Sequence, residues 1–170
     1  MSTPADSVRV RLARFGDDAG LAAIDAAAWS PVSGFPSVIQ AGDRSFFTPE
    51  SPPQAHLVAE LDGRLAGYLR LKPASRLPEN AHVLAIQGLA VAPAARRQGV
   101  ASALLDAAAK RASALGAAKL SLRVLGSNHA AIALYEEHGF EREGLLRQEF
   151  LIDGNLVDDV LMSKRLRPEP

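Results

Sequence analysis

Two segments gather groups that can do chemistry. The first runs Gln87-Gly88-Leu89-Ala90-Val91-Ala92-Pro93-Ala94-Ala95-Arg96-Arg97-Gln98-Gly99-Val100-Ala101-Ser102. An apolar strand enters a short turn, and the turn opens a helix that begins with Arg, Gln, Gly and small residues. Backbone N–H groups at such a junction have no intrahelical partners, and the helix dipole adds partial positive charge there. That makes an anion site suited to phosphate or pyrophosphate. Gly99 and Ala101 are small where a ligand must approach the backbone, and Arg96 and Arg97 can add charge-assisted hydrogen bonds. No Gly-Lys-Ser/Thr of a Walker loop is present, and a dinucleotide fingerprint would need two more glycines. The bland alternative is an arginine-rich helix start with a packing glycine. On this segment alone the two readings stand level.

The second segment is Asn128-His129-Ala130-Ala131-Ile132-Ala133-Leu134-Tyr135-Glu136-Glu137-His138-Gly139-Phe140. Asn128 and Tyr135 are seven residues apart, which on a helix puts them on nearly the same face. One offers an amide at the helix mouth, the other a phenol two turns deeper. By itself such a pair reads as an N-cap and a half-buried aromatic.

The elements that must position these groups follow from periodicity. Residues 8–12 alternate as a strand, and a helix follows over 17–28 with Asp17 and Asp18 at its positive end. Residues 29–53 lose all period and collect seven Pro and Gly with Trp29, Phe35, Phe46 and Phe47. So long a loop is usually functional, and a short helix is expected near 37–41. The four aromatics read equally well as an acceptor-site wall and as a small core under the loop. Strands at 56–61 and 64–71 meet at Asp62-Gly63, a hairpin signal. A longer apolar strand spans 82–91, and the first segment's helix is expected over 97–115. Then come a strand at 119–125, the Asn128 helix to His138, and a closing hairpin over 144–152 and 155–166 around Asp153-Gly154. The expected fold is one mixed α/β domain over residues 1–170 with an antiparallel front half.

Composition narrows the function classes. Nineteen Lys and Arg balance nineteen Asp and Glu, which argues against a nucleic-acid or anionic-membrane partner. With no cysteine there is no thiol nucleophile, disulfide framework or thiolate metal site. The four histidines have no ligand-like spacing and read as scattered surface residues; no metal is expected. Residues 1–6 lack the basic start and apolar stretch of a signal peptide, and no apolar run approaches the ~20 residues of a membrane span. A cytoplasmic protein is the expectation.

Taken together, the two segments resemble the Gcn5-related N-acetyltransferase (GNAT) superfamily. Arg96-Arg97-Gln98-Gly99-Val100-Ala101 fits the family's acetyl-CoA signature, Arg/Gln-x-x-Gly-x-Gly/Ala, after a Leu-Ala-Val strand and a proline. Asn128…Ala131-Ile132…Leu134-Tyr135-Glu136…Gly139-Phe140 fits its second motif. Element order matches along the whole chain, and motifs match over residues 84–140.

The resemblance implies a mostly antiparallel sheet whose parallel central strands splay apart, flanked by helices. Pantetheine would lie in the gap against Leu89, Ala90 and Val91, with pyrophosphate on the amides of Arg97, Gln98, Gly99, Val100, Ala101 and Ser102, beside Arg96. Asn128 would hold the pantetheine arm. Tyr135 would protonate the leaving thiolate, and the Val91 N–H would polarise the acetyl carbonyl. The implied activity is direct, metal-free transfer from acetyl-CoA to the primary amine of a small molecule or exposed peptide. Protein N-terminal acetylation is the alternative within enzymology, and a catalytically degenerate acyl-CoA-binding domain the alternative outside it. A homodimer through late strands would suit the family.

The resemblance names no general base. The central strand offers Ala85 and Gln87 on one face, with no carboxylate, and Arg123 stands where some N-terminal acetyltransferases have an acid. Glu60, His82, Glu149 and Asp159 are the remaining candidates, none preferred. Asp158-Asp159 reads as a hairpin-face pair ahead of an amine attractor.

Overall fold

The computed structural model describes residues 8–39 and 45–166. Its elements are β1 (Val8–Leu12), α1 (Asp18–Ala28), α2 (Pro36–Ile39), β2 (His56–Leu61), β3 (Arg64–Pro73), β4 (Val83–Val91), α3 (Val100–Ala114), β5 (Lys119–Leu125), α4 (His129–Glu137), β6 (Glu141–Ile152) and β7 (Asn155–Arg165). The strands form one seven-stranded sheet in the order β1-β2-β3-β4-β5-β7-β6. Every neighbouring pair is antiparallel except β4–β5. The mixed sheet expected from the sequence is therefore the observed one. Part of the short helix expected at 37–41 lies outside the described residues.

The sheet divides two cores. On one face α3 buries Val100, Leu104, Leu105, Ala108 and Ala112, a stripe at helical spacing, against β1, β2, β3 and β4. Leu104 is fully buried, so truncating it to alanine should cost about 2–5 kcal/mol. On the other face α1 buries Leu21 and Ile24 with Phe47, Val58, Tyr68 and Ala90. The acids at the start of α1 do more than meet its dipole. Asp17 is gripped by Arg11 at 2.8 Å and accepts from the Arg14 N–H, which holds its carboxyl below the usual range. Asp18 accepts from the Phe47 N–H and Ser45 hydroxyl, both at 2.9 Å, and so ties the end of the long loop to α1.

The feature that matters most for the site lies in β4. Leu69 pairs with Leu89 and Leu71 with Ile86, so Gln87 and Gly88 together oppose Arg70. This is a β-bulge, and bulges bend their strand. Gly88 has φ +118°, which a residue with a Cβ adopts only under strain. The extra residue also reverses the faces of the strand end: Ile86, Leu89 and Val91 join the α3 core, whereas Ala90 joins the α1 core. Beyond the bulge β4 no longer pairs with β5. The parallel ladder runs only from Val83–Lys119 to Ile86–Leu122, while the two strands continue to Val91 and Leu125.

Candidate active site

The gap between the diverging strands is a cleft of about 960 Å³. Leu89, Ala90 and Val91 form one wall, Leu122 to Leu125 the other, with Asn128, Ala131 and Tyr135 of α4 beside it. The Ala92 N–H donates to the Ala66 carbonyl of β3. Backbone direction alternates along a strand, so the Val91 N–H points the opposite way, into the gap. An unpaired N–H there is a ready hydrogen-bond donor.

At the mouth of the gap the chain makes the turn Arg96–Gly99 and enters α3 at Val100, three residues later than its sequence pattern suggested. The cause is backbone conformation. Arg97 and Gly99 have φ +61° and +80°, incompatible with a helix. Among the described residues, the N–H groups of residues 97–102 donate to no protein acceptor; the first helical bond is Ala103 N–H to the Gly99 carbonyl at 3.0 Å. Successive free N–H groups through left-handed positions form a concave anion-binding nest. A Cβ at Gly99 would meet no atom within 4 Å, so this glycine is not there for packing. It serves the backbone turn and leaves open space over the amides.

Side chains in this stretch take varied roles. The Val100 side chain is buried in the core, so only its N–H serves the nest. Arg96 lines the cleft but donates to the Ala28 carbonyl at 3.1 Å, joining the turn to the end of α1. Gln98 donates to the Ala94 carbonyl, bracing the turn. Ser102 meets His138 at 3.1 Å, and the other ring nitrogen of His138 meets Asp106, so α3 and α4 are stapled beside the nest.

Asn128 Oδ1 accepts from the Ala131 N–H, the expected N-cap, and its amide NH2 is left for the cleft. Tyr135 packs edge-on to Phe140 and is 9% exposed. Burial pushes its phenol up to about 12. The hydroxyl has no protein partner among the described residues, so its proton is free for a ligand.

The four loop aromatics divide between the two readings open to them. Trp29 and Phe35 line the cleft, and Phe35 packs against Phe150 of β6 with ring centres 4.7 Å apart. Phe46 and Phe47 instead stack around His56 and Tyr68 in the α1 core. Asp25 links the groups, accepting from both the Trp29 indole N–H and the Tyr68 hydroxyl. His56 corrects the expectation of surface histidines. It is 2% exposed, because its Nδ1 meets the Pro52 carbonyl at 2.9 Å and its faces are covered by rings. Burial lowers its pKa.

Of the four carboxylate and imidazole candidates for a base, only Asp159 reaches the cleft lining. Glu60, on β2, is held by Arg11 of β1. Glu143, Phe150 and Lys72 line the cleft without having drawn attention in the sequence. Their signal was the register of β6 on β7 and β3 on β4, which the sequence does not print.

Residues 23–140 match the acetyltransferase (GNAT) family model. This chain belongs to the GNAT family. Its match to the L-amino acid N-acetyltransferase AaaT of Escherichia coli is 33% identical over 68% of this chain and 70% of that protein. The curated relatives it matches are spanned over 58% to 70% of their own length. The fold superposes on Salmonella typhimurium yncA, solved with acetyl-CoA, with TM-score 0.76 and 20% identity over 96% of each chain. It superposes likewise on the Escherichia coli ribosomal-protein-S18-alanine N-acetyltransferase, TM-score 0.71 and 21% identity over 96% of this chain and 97% of that one. In GNAT terms, the bulged strand, the nest and the Asn128–Tyr135 helix surround one cleft.

Proposed function

We propose that this GNAT protein transfers the acetyl group of acetyl-CoA directly to a primary amine of a small molecule or exposed peptide. The observation that carries the reading is the run of free N–H groups over residues 97–102 at the mouth of a cleft that also holds Tyr135. A dianionic pyrophosphate satisfies those donors; a neutral ligand would leave them orphaned. Acetyl-CoA supplies an acetyl group already activated as a thioester.

The residues divide the remaining work. Leu89 and Val91 offer strand-edge groups to an extended amide arm, and the Asn128 NH2 meets it from the other wall. The Val91 N–H polarises the acetyl carbonyl. The amine nitrogen bonds to that carbon as the carbon–sulfur bond breaks, the sulfur takes the Tyr135 proton, and the nitrogen's surplus proton leaves to water. Burial makes Tyr135 a reliable carrier, fully protonated at neutral pH. The same burial leaves the phenol a weaker acid than a thiol of pKa near 8.5, by roughly 5 kcal/mol, so the proton is not passed before the carbon–sulfur bond has broken. Tyr135 therefore acts by donating its hydrogen bond as charge develops on sulfur, completing the transfer late. Without a cysteine, no acyl-thiol enzyme enters the route.

Related proteins act on amino acids and on a ribosomal-protein alanine, and both acceptor types carry a primary amine. Titration calorimetry with acetyl-CoA, against ATP and NADH as controls, tests the reading. Selective micromolar binding of acetyl-CoA is expected, followed by thiol release when amines are added. Equal binding of ATP would point to a nucleotide site, and binding without turnover to a degenerate acyl-CoA module.

A further inference from the structure

The sheet face opposite α3 carries polar groups that this transfer chemistry does not use. Alternation along β5 turns the Leu120, Leu122 and Val124 side chains to the α3 core and those of Ser121 and Arg123 to the opposite face, where both line the cleft. Leu161 of β7 pairs directly with Arg123, and Asp159 lies one step along the same face. Asp159 is 2% exposed, and its Oδ2 accepts from Arg123 Nε at 2.6 Å and also meets Nη2. A carboxylate at that depth is costly unless paired, and Arg123 is its one hydrogen-bond partner among the described residues. The pairing fixes the guanidinium by its Nε–Nη2 side.

That leaves the other edge of the fork, Nη1 and the second Nη2 hydrogen, unbonded on a side chain that is 58% exposed. An edge of this shape fits a carboxylate with two parallel hydrogen bonds. The other charges around the cleft strengthen the point. Glu143 is occupied by Lys119 and Ser163, and Arg96 by the Ala28 carbonyl. Lys72 lines the cleft with no ion-pair partner among the described residues. The unengaged charge is therefore cationic. Trp29, Phe35, Phe150 and Leu161 supply apolar walls, which strengthen a charge-assisted contact and favour an apolar substituent.

We propose that Arg123 binds the carboxylate of the acceptor, so that the substrate is a free amino acid with an apolar side chain and not a peptide N-terminus. This rests on the acetyltransferase reading above. Asp159 is a positioning residue that aims the guanidinium. A peptide or amide presents a neutral carbonyl where the carboxylate would sit, and the fork then holds an unmatched charge.

The test compares leucine, methionine, phenylalanine and tryptophan, each with its own amide and its Xaa-Gly-Gly peptide. Thiol release gives kcat/KM, and calorimetry on protein saturated with coenzyme A gives binding. The amide amine is the more easily deprotonated, so chemistry alone favours the amide. We expect the free acid to exceed its amide at least tenfold in kcat/KM through KM. Arg123→Gln should bring that ratio toward one, with Arg123→Lys in between and Asp159→Asn weakening the acid's binding. Amides or peptides used as well as acids, or an unchanged ratio in Arg123→Gln, would overturn the proposal. If no amine turns over while acids still bind in preference to amides, the transferase reading falls and the Arg123 assignment stands. Equal binding of acids and amides would sink that assignment alone.

Discussion

The two ends of the cleft are built by different means. At the nest end, the decisive groups are backbone N–H donors on one continuous stretch, residues 97–102, held by two left-handed residues and a helix start. At the end proposed to take the acceptor they are side chains brought from the α1–α2 loop, β5, β6 and β7: Phe35, Arg123, Phe150 and Asp159. The first kind of site depends on local conformation, so a single change of backbone can abolish it. The second depends on several contacts assembled by the sheet, so a single change should tune it. Tyr135 sits where the two ends meet.

The largest effect should come from Gly99→Glu. At φ +80° a side chain is strained, and a carboxylate would sit over the free amides. Acetyl-CoA affinity should fall by about 100-fold or more, read by calorimetry on protein shown to be folded by circular dichroism. Unchanged affinity would break the contrast at its stronger end. Next, Tyr135→Phe should lower kcat by about 100-fold with acetyl-CoA affinity almost unchanged. Full activity in that variant would remove Tyr135 from the proton path.

Phe35→Ala should act only at the acceptor end. Losing the edge contact with Phe150 should raise acceptor KM by about 2- to 10-fold, leaving the calorimetric affinity for acetyl-CoA as it was. A changed cofactor affinity would show that the two ends are not separable. The smallest effect concerns the core behind the acceptor wall. Burial lowers the His56 pKa below 6.5, so folded protein holds fewer protons there than unfolded chain. Stability from this site is full above about pH 6.5 and is lost as pH falls through the lowered value. Melting temperature should therefore drop more steeply between pH 7.5 and 5.5 in the wild type than in His56→Gln. Parallel profiles would mean that His56 does not carry the acid sensitivity of this core.

The same contrast explains what could be read from the chain. The nest was legible because its chemistry is written in consecutive residues: Arg97-Gln98-Gly99 read as a free helix start, and only the left-handed backbone at Arg97 and Gly99 moved that start to Val100. Asn128 and Tyr135 were legible because seven residues is a fixed rotation on a helix. Glu143 and Phe150 were not, because irregularities in β6, between Arg142 and Gly144 and between Leu146 and Phe150, shift which of its residues face the cleft. His56 read as a surface residue because the rings that bury it come from positions 46, 47 and 68.

By itself, then, the sequence determined the order of elements, the free helix start after β4 and the α4 face, all set by interactions within about ten residues. Only the tertiary structure decided three further points: that a bulge at Gln87-Gly88 is the device that parts β4 from β5, that Trp29 and Phe35 line the cleft while Phe46 and Phe47 do not, and that Asp159 holds Arg123 with one edge free. Each depends on strand register or on contact across more than thirty residues of chain. Such contacts are selected by the packing of the whole sheet, and no local propensity specifies them.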